Sequence, residues 1–400
     1  MPGIRVALIS VAVVWTSWLP AAAEPKYDTG ASDTEIKIGQ TSAYSGPVSA
    51  WSVGAKVQVA YMRMLNEKGG INGRKIDLIS LDDSYSPPKT VEQTRRLVES
   101  DGVLFMFGSL GAASNTAVHK YLNSRKVPQL FPSSGAAKWS DPEHFPWTMG
   151  WMPSFAKEGF LYGKYVLANK PDAKIAIFFQ NDDYGKDYVE GFERALGPEA
   201  SKLIVIRTNY QAADPTVESQ IVSMKASGAN VLLDASSPKF AAQAIKRMGE
   251  IGWTPMHLLA SPSAQIDTVF RPAGLEASKG IISATFLKDP ASPALKADQG
   301  VKDYLSFMAK YVAEIDPQSQ AAVWAYASAE TIVHVLKQCG DDLTRENVMR
   351  QAANLKDIQI SMIYPGIKIN TSPTDYEPVE DALLQEFDGS IMRLLDSPAR

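Results

Sequence analysis

Residues 75–107 read KIDLISLDDSYSPPKTVEQTRRLVESDGVLFMF, and this stretch decides the fold class. KIDLISL (75–81) alternates as a strand does, and DDSYSPP sets two prolines where a helix can start. Val91, Thr94 and Val98 then recur at helical spacing, while VLFMF (103–107) is continuously apolar, as a central strand covered by helices on both faces must be. One strand, one helix and a second buried strand make a right-handed unit of a parallel sheet.

The unit repeats in both directions. Upstream, EIKIGQ (35–40) reads as a strand. The loop SAYSGPVSAWSVG leads from it into a helix whose inner face is Val57, Tyr61, Met64 and Leu65, ended by Gly69-Gly70. Downstream come a small-residue turn at Ser109–Ala113, a helix, and a short strand at Gln129–Phe131. After Trp151 a second run begins. It has a helix to about Asn169, strands at 174–180, 202–208, 230–236 and 256–261, and helices between them. Two such runs predict an α/β chain of two doubly wound lobes. Helices at about 297–314, 319–338 and 344–354 and short strands near 366–369 and 383–387 predict a chain that crosses between lobes more than once.

The N-terminus carries Arg5, an apolar run from Val6 to Leu19, and Ala21 and Ala23 at a cleavage point before Glu24. Residues 1–23 are read as a signal peptide, the alternative being a retained N-terminal anchor. The apolar run is short for a membrane span, and no cysteine near the cut offers a lipid site. Export by a cleaved signal places the mature chain in a periplasm. The formal net charge is −4, and loss of Arg5 makes it one unit more negative, so no basic field for nucleic acid exists. Cys339 is the only cysteine, which excludes an internal disulfide and suits a buried structural thiol.

Enzyme signatures are missing from the chain: no Gly-rich nucleotide loop follows a strand and no G-x-S-x-G elbow occurs. His119, His144, His257 and His334 stand without ligand-spaced partners, so no metal and no cofactor are expected. Asp82-Asp83 and Asp182-Asp183 follow strands and read as helix caps rather than catalytic pairs. Catalysis is therefore not expected.

The stretches SAYSGPVSAWSVG, NEKGGINGRKIDLISLDDSYSPPKTVEQTRRLV, GSLGAASNTAVHKYLNSRKVPQLF and QNDDYGKDYVEGFERAL, in that order, resemble the branched-chain amino acid type of periplasmic substrate-binding protein. The resemblance spans nearly all of the chain after residue 23. It implies a type I periplasmic binding protein fold with three crossover hinge strands. One lobe would comprise 34–151 plus 287–364 and the other 152–286 plus 365–398. It also implies a monomer that hands a small ligand to an ATP-driven (ABC) permease of the inner membrane, with the ligand held in the cleft at the carboxyl ends of the strands.

Four loops are then expected to line that cleft. The first offers Tyr44, Ser45 and Trp51, the last at a position resembling one where the family sets an aromatic over the ligand. The second, Ser109, Leu110, Gly111, Ala112 and Ala113, precedes a helix whose free N–H groups can hold a carboxylate. The third, Ser133, Ser134 and Gly135, matches the family's other carboxylate loop. Tyr184 matches a family tyrosine at the cleft edge, and Trp151 near the hinge is a further aromatic candidate.

The chain also departs from the family pattern. Pro262, flanked by Ser261 and Ser263, stands where amino-acid binders carry an acid for the ligand ammonium, and Ser236 and Ser237 stand where they tend to place an aromatic. Asp234 is the nearest acid. An unpartnered buried ammonium costs several kcal/mol, so a small organic or aromatic acid is favoured over an amino acid. A true branched-chain amino acid binder and a periplasmic sensor of the same fold stay open as alternatives.

Overall fold

A computed structural model of the chain describes residues 26–46 and 48–395, together with Gly3. The expected signal peptide lies outside the described residues. Among those described, fourteen strands run in chain order: β1 Lys26–Tyr27, β2 Glu35–Ser42, β3 Lys75–Asp82, β4 Phe105–Phe107, β5 Gln129–Leu130, β6 Thr148–Met149, β7 Ile175–Gln180, β8 Ile204–Tyr210, β9 Val231–Ala235, β10 Met256–Leu259, β11 Ile282–Thr285, β12 Asp342–Leu343, β13 Leu383–Phe387 and β14 Met392–Leu394.

Two sheets carry the architecture. The first has the order β3-β2-β4-β5-β6, all parallel. In the second, β8-β7-β9-β10-β11 repeats the same parallel order, and β13 and β14 are added antiparallel beyond β11. In each sheet the first strand lies between the second and the third, so the loops after β2 and β4, and after β7 and β9, diverge to form a crevice. The two crevices face each other.

The central strands read as the burial dictates. All three residues of β4 are buried, because helices Pro87–Arg95 and Ala112–Ser124 cover one face and Val53–Glu67 and Gln320–Cys339 pack on the other. Pro87 and Pro88 occupy the first turn of their helix, where a missing N–H costs nothing. In the second lobe Asp182 caps helix Asp183–Leu196, accepting from the Tyr184 and Gly185 N–H groups.

The chain crosses between lobes after β6, after β11 and before β13. The last crossing departs from expectation. Ile367, Ile369, Tyr376 and Val379 belong to the first lobe's core, and Thr371 N donates to Leu355 O at 3.0 Å. The segment near 366–369 is therefore no strand of the second sheet, and the second lobe resumes close to Leu383 instead of at 365. Apolar residues at 367, 369 and 379 needed burial, and the first core was the one within reach.

Candidate functional site

One cavity opens between the two crevices, with an empty volume of about 750 Å³ counted out to its mouth. The loop after β2 brings Trp51 on a short turn, Ser49–Ser52, that runs straight into helix Val53–Glu67. The loop after β4 brings Leu110, Gly111 and Ala112, and the segment after β5 brings Ser133 and Ser134. These last two segments stay side by side past the sheet edge, since Leu110 and Ser133 form an isolated parallel bridge. From the second lobe come Tyr184, Ser261, Pro262 and Gln265.

Gly111 is required twice over. Its φ of +90° lies in the left-handed region, and a Cβ there would fall 2.2 Å from the Tyr85 ring. That close approach lets Tyr85 join the wall, from a loop that itself takes φ +57°.

Of the residues singled out in the sequence, Trp51, Gly111, Ala112, Ser133, Ser134, Tyr184 and Pro262 line the cavity. The others do not. The Tyr44 hydroxyl meets Ser80 Oγ at 2.6 Å, and Ser45 Oγ donates to Asp82 at 2.7 Å, which draws both toward β3. Ser109 is buried and its hydroxyl accepts from Thr41 N. Ala113 is half-buried, packed against the core that holds Leu110 and Ala112, and is not part of the lining. Gly135 lies under the first crossing, where a Cβ would meet Pro153 O at 2.8 Å. Trp151 is fully buried, donates to Thr331 Oγ1 at 3.0 Å and backs Trp324 edge-on. Ser236 is also fully buried; its hydroxyl donates to Asp234, and its carbonyl accepts from Tyr184 Oη at 3.1 Å.

Several wall residues had no signal in the loops. Met152 and Phe155 follow the first crossing, Phe286 and Leu287 form the second, and Gln320, Ala321 and Trp324 begin the long helix Gln320–Cys339. Met152, Phe155, Phe286 and Leu287 lie at or beside the crossings, whereas Gln320, Ala321 and Trp324 come from a helix packed on the first lobe's sheet.

The two lobes touch across the cleft. Trp51 Nε1 donates to Pro262 O at 3.3 Å, and its ring meets Tyr184 edge-on at 5.7 Å. Phe155 N donates to Gly135 O at 2.6 Å. At the rim Lys138 Nζ and Thr116 Oγ1 donate to Asp183 Oδ2 at 2.7 and 2.8 Å, and Ala137 N donates to Asp187 Oδ2 at 2.8 Å. Burial pushes the Asp187 carboxyl up to about 6, with the charges of Asp183 and Glu190 adding to it against the Ala137 N–H. For Asp183 burial acts upward too, but the Lys138 and Thr116 bonds outweigh it and hold the carboxyl below its ordinary range. Lys138 is thus committed at the rim.

No charged side chain is among the described residues that line the cavity. Its walls are mostly aromatic and aliphatic, with the amides of Gln265 and Gln320 and the hydroxyl of Ser261 among them, and the first lobe's loops supply donors. Ala112 opens helix Ala112–Ser124, so its N–H has no helical acceptor. Ser134 Oγ accepts from Trp139 Nε1 at 3.1 Å and from Ala136 N at 3.3 Å, which frees its own proton to donate. Ser133 adds a second hydroxyl. Asp234, the acid expected nearest, is buried against His257 Nε2 at 3.1 Å and does not reach the cavity. Glu158 was missed; it lies behind Ser261, on the same helix face as Phe155 and Tyr162, and that spacing was the available clue.

Elsewhere, Asp82 holds Ser45, Ser84 and Lys89, and Asp83 accepts from Tyr85 N and Thr90 Oγ1, so the acid pairs serve as caps and loop clasps. Among the described residues no cluster of metal-ligating side chains occurs, and no helix is long and apolar enough to cross a membrane.

Comparison with known proteins agrees with this geometry. Residues 35–390 match the family described as periplasmic binding protein. The chain is similar to Leu/Ile/Val-binding protein homolog 7 of Brucella abortus, 22% identical over 362 residues that cover 88% of this chain and 86% of that one. Among solved structures, a branched-chain amino acid ABC transporter protein of Thermus thermophilus with bound valine superposes with a TM-score of 0.80 at 17% identity, covering 92% of this chain and 97% of that one. A fatty acid ABC transporter substrate-binding protein of Thermomonospora curvata superposes with a TM-score of 0.76 at 19% identity, covering 93% and 95%. Two sheets of like strand order, three crossings, a cleft at the strands' carboxyl ends and a family match over most of its length place the chain among the periplasmic binding proteins of the branched-chain amino acid type.

Proposed function

We propose that this protein is the periplasmic solute-binding component of an ABC importer and that its ligand is a small apolar-bodied carboxylate without an amine. It works without turnover, as a monomer. The observation that carries the ligand class is the lining itself, uncharged and largely apolar, with the Ala112 N–H and the Ser133 and Ser134 hydroxyls placed together on the first lobe as free donors. A carboxylate can spread its charge over the Ala112 N–H and the Ser133 and Ser134 hydroxyls, helped by the positive end of a 13-residue helix. An ammonium finds no counter-charge on the wall, and burying it there costs several kcal/mol. The fatty acid binder from Thermomonospora curvata supports an apolar acid as a cargo this fold accepts.

Mechanistically, Trp51 on one lobe and Tyr184 on the other close over the ligand, and ligand contacts to both lobes shift the ensemble toward the closed form. The permease then recognises that closed shape. A thermal-shift screen of the chain from Glu24 onward against aliphatic and aromatic carboxylates and branched-chain amino acids tests the ligand class. A rise in melting temperature with an amine-free acid is expected. A rise with leucine or valine alone overturns the acid reading and leaves solute binding intact. Ligand-dependent uptake by membranes carrying the cognate permease separates transport from sensing.

A further inference from the structure

Behind the Ser261 corner of the cavity sits a carboxyl group to which the ligand reading assigns no role. Glu158 lies on the buried face of helix Phe155–Asn169, only 5% exposed. Among the described residues it makes no ion pair.

Three short oxygen–oxygen contacts fix the protons around it. Tyr162 Oη is 2.8 Å from Leu259 O and 2.5 Å from Glu158 Oε1, and Ser261 Oγ is 2.8 Å from Glu158 Oε2. A carbonyl has no proton, so the Leu259 contact takes the one on Tyr162. The Tyr162–Glu158 contact then needs a proton from Glu158 itself, on Oε1. The Ser261 hydroxyl proton fills the third contact. The backbone donors agree: Ala284 N reaches Tyr162 Oη at 2.9 Å and Ser261 N reaches Glu158 Oε1 at 2.8 Å, each on a remaining lone pair. Among Tyr162, Ser261 and Glu158, the arrangement of protons that fills all three contacts has Glu158 as a neutral carboxylic acid, while Ser283 Oγ gives Leu259 O a second donor at 2.9 Å. An ionised Glu158 leaves one buried oxygen pair with no proton between its members, and burial pushes its pKa upward against the hydrogen bonds around it.

With its proton turned inward, the Ser261 oxygen can offer only lone pairs to the cavity it lines. The neighbouring acceptor is occupied, because Pro262 O already receives Trp51 Nε1 at 3.3 Å and Gln265 Nε2 at 2.7 Å. We infer that Ser261, oriented by a neutral Glu158, is an acceptor subsite that selects a ligand bearing an uncharged hydrogen-bond donor, a hydroxyl, on the part facing the second lobe. The inference rests on the carboxylate reading above and narrows it to hydroxylated apolar acids. Because Glu158 is neutral, the same corner supplies no charge to hold an ammonium.

The test is calorimetric titration of the full mature chain with matched acids that differ only by a hydroxyl: benzoate against 3- and 4-hydroxybenzoate, and cinnamate against 4-hydroxycinnamate. At least one hydroxylated acid is expected to bind about tenfold tighter than its parent, the effect of one buried neutral hydrogen bond. Ser261→Ala brings that ratio below about twofold, and Ser261→Thr, which keeps the hydroxyl, restores it. Equal affinities in every pair, or a preference that survives Ser261→Ala, overturn the subsite while leaving the carboxylate reading standing. If no acid of either kind binds, the carboxylate reading fails and takes the subsite with it. Difference infrared spectroscopy at pH 7 tests the proton directly: a carboxylic-acid C=O band present in the parent protein and lost in Glu158→Gln is expected, and its absence from the parent refutes the assignment.

Discussion

Replacing Trp51 by alanine removes a side chain that touches both lobes, so its effect on closure follows from the two interactions by which that side chain bridges them. Trp51 gives one hydrogen bond to Pro262 O, long at 3.3 Å and worth about 0.5–1 kcal/mol, and one edge-on pair with Tyr184 at 5.7 Å, worth about 1 kcal/mol. Its pairing with Tyr85 at 6.2 Å lies within the first lobe and does not bear on closure. Closure is therefore weakened by about 2 kcal/mol, or about thirtyfold in ligand affinity, before any direct contact with the ligand is counted. Calorimetric titration of Trp51→Ala with the acid found by thermal shift gives the number, and small-angle scattering reports whether saturating ligand still compacts the molecule. A loss of less than about threefold refutes the role given to Trp51.

Gly135→Ala tests the floor of the hinge: the added Cβ would lie 2.8 Å from Pro153 O and 2.9 Å from the Phe155 ring, so ligand-induced compaction and affinity are expected to fall together, at least about tenfold in affinity. Normal affinity in that variant contradicts the contact. Asp187 carries a carboxyl raised to about 6, and a raised folded-state value gives stability that is full below the unfolded value near 3.9 and is lost as pH rises through 6. Asp187→Asn, still able to accept from Ala137 N, is therefore expected to gain stability at pH 7.5 relative to the parent, by about 1–2 kcal/mol, and to gain none at pH 4. An unchanged difference across that range in urea titrations removes the effect. Burial holds the Cys339 thiol up at about 12, so native protein at pH 8 is expected to resist a thiol reagent that labels the urea-unfolded chain fully; rapid labelling of the native protein contradicts its burial.

Much of the fold could be read because its signals are local. VLFMF in a run of alternating strands and helices can only be the middle of a parallel sheet, and the two prolines at 87 and 88 mark a helix start wherever they stand. The third crossing was misplaced because residues 365–382 have little regular structure, and which core collects Ile367, Ile369 and Val379 is decided by proximity, not by period. The site divides the same way. Trp51, Gly111, Ser133, Ser134, Tyr184 and Pro262 follow strand ends at the two crevices, a position that topology assigns. Phe286 reaches the cavity from the second crossing, and Gln320 and Trp324 from a helix of the first lobe, over sequence separations that carry no periodic trace. Ser236 misled because a serine after a strand looks free until Asp234 and Tyr184 claim its polar atoms.

The most direct test of the account is a crystal structure of the chain from Glu24 onward with the amine-free acid that gives the largest thermal shift. The account predicts one molecule between the lobes, its carboxylate within hydrogen-bond reach of the Ala112 N–H and the Ser133 and Ser134 hydroxyls, and Trp51 and Tyr184 packed over its apolar body. A carboxylate held by a lysine or arginine, or a ligand bound outside this cleft, contradicts it.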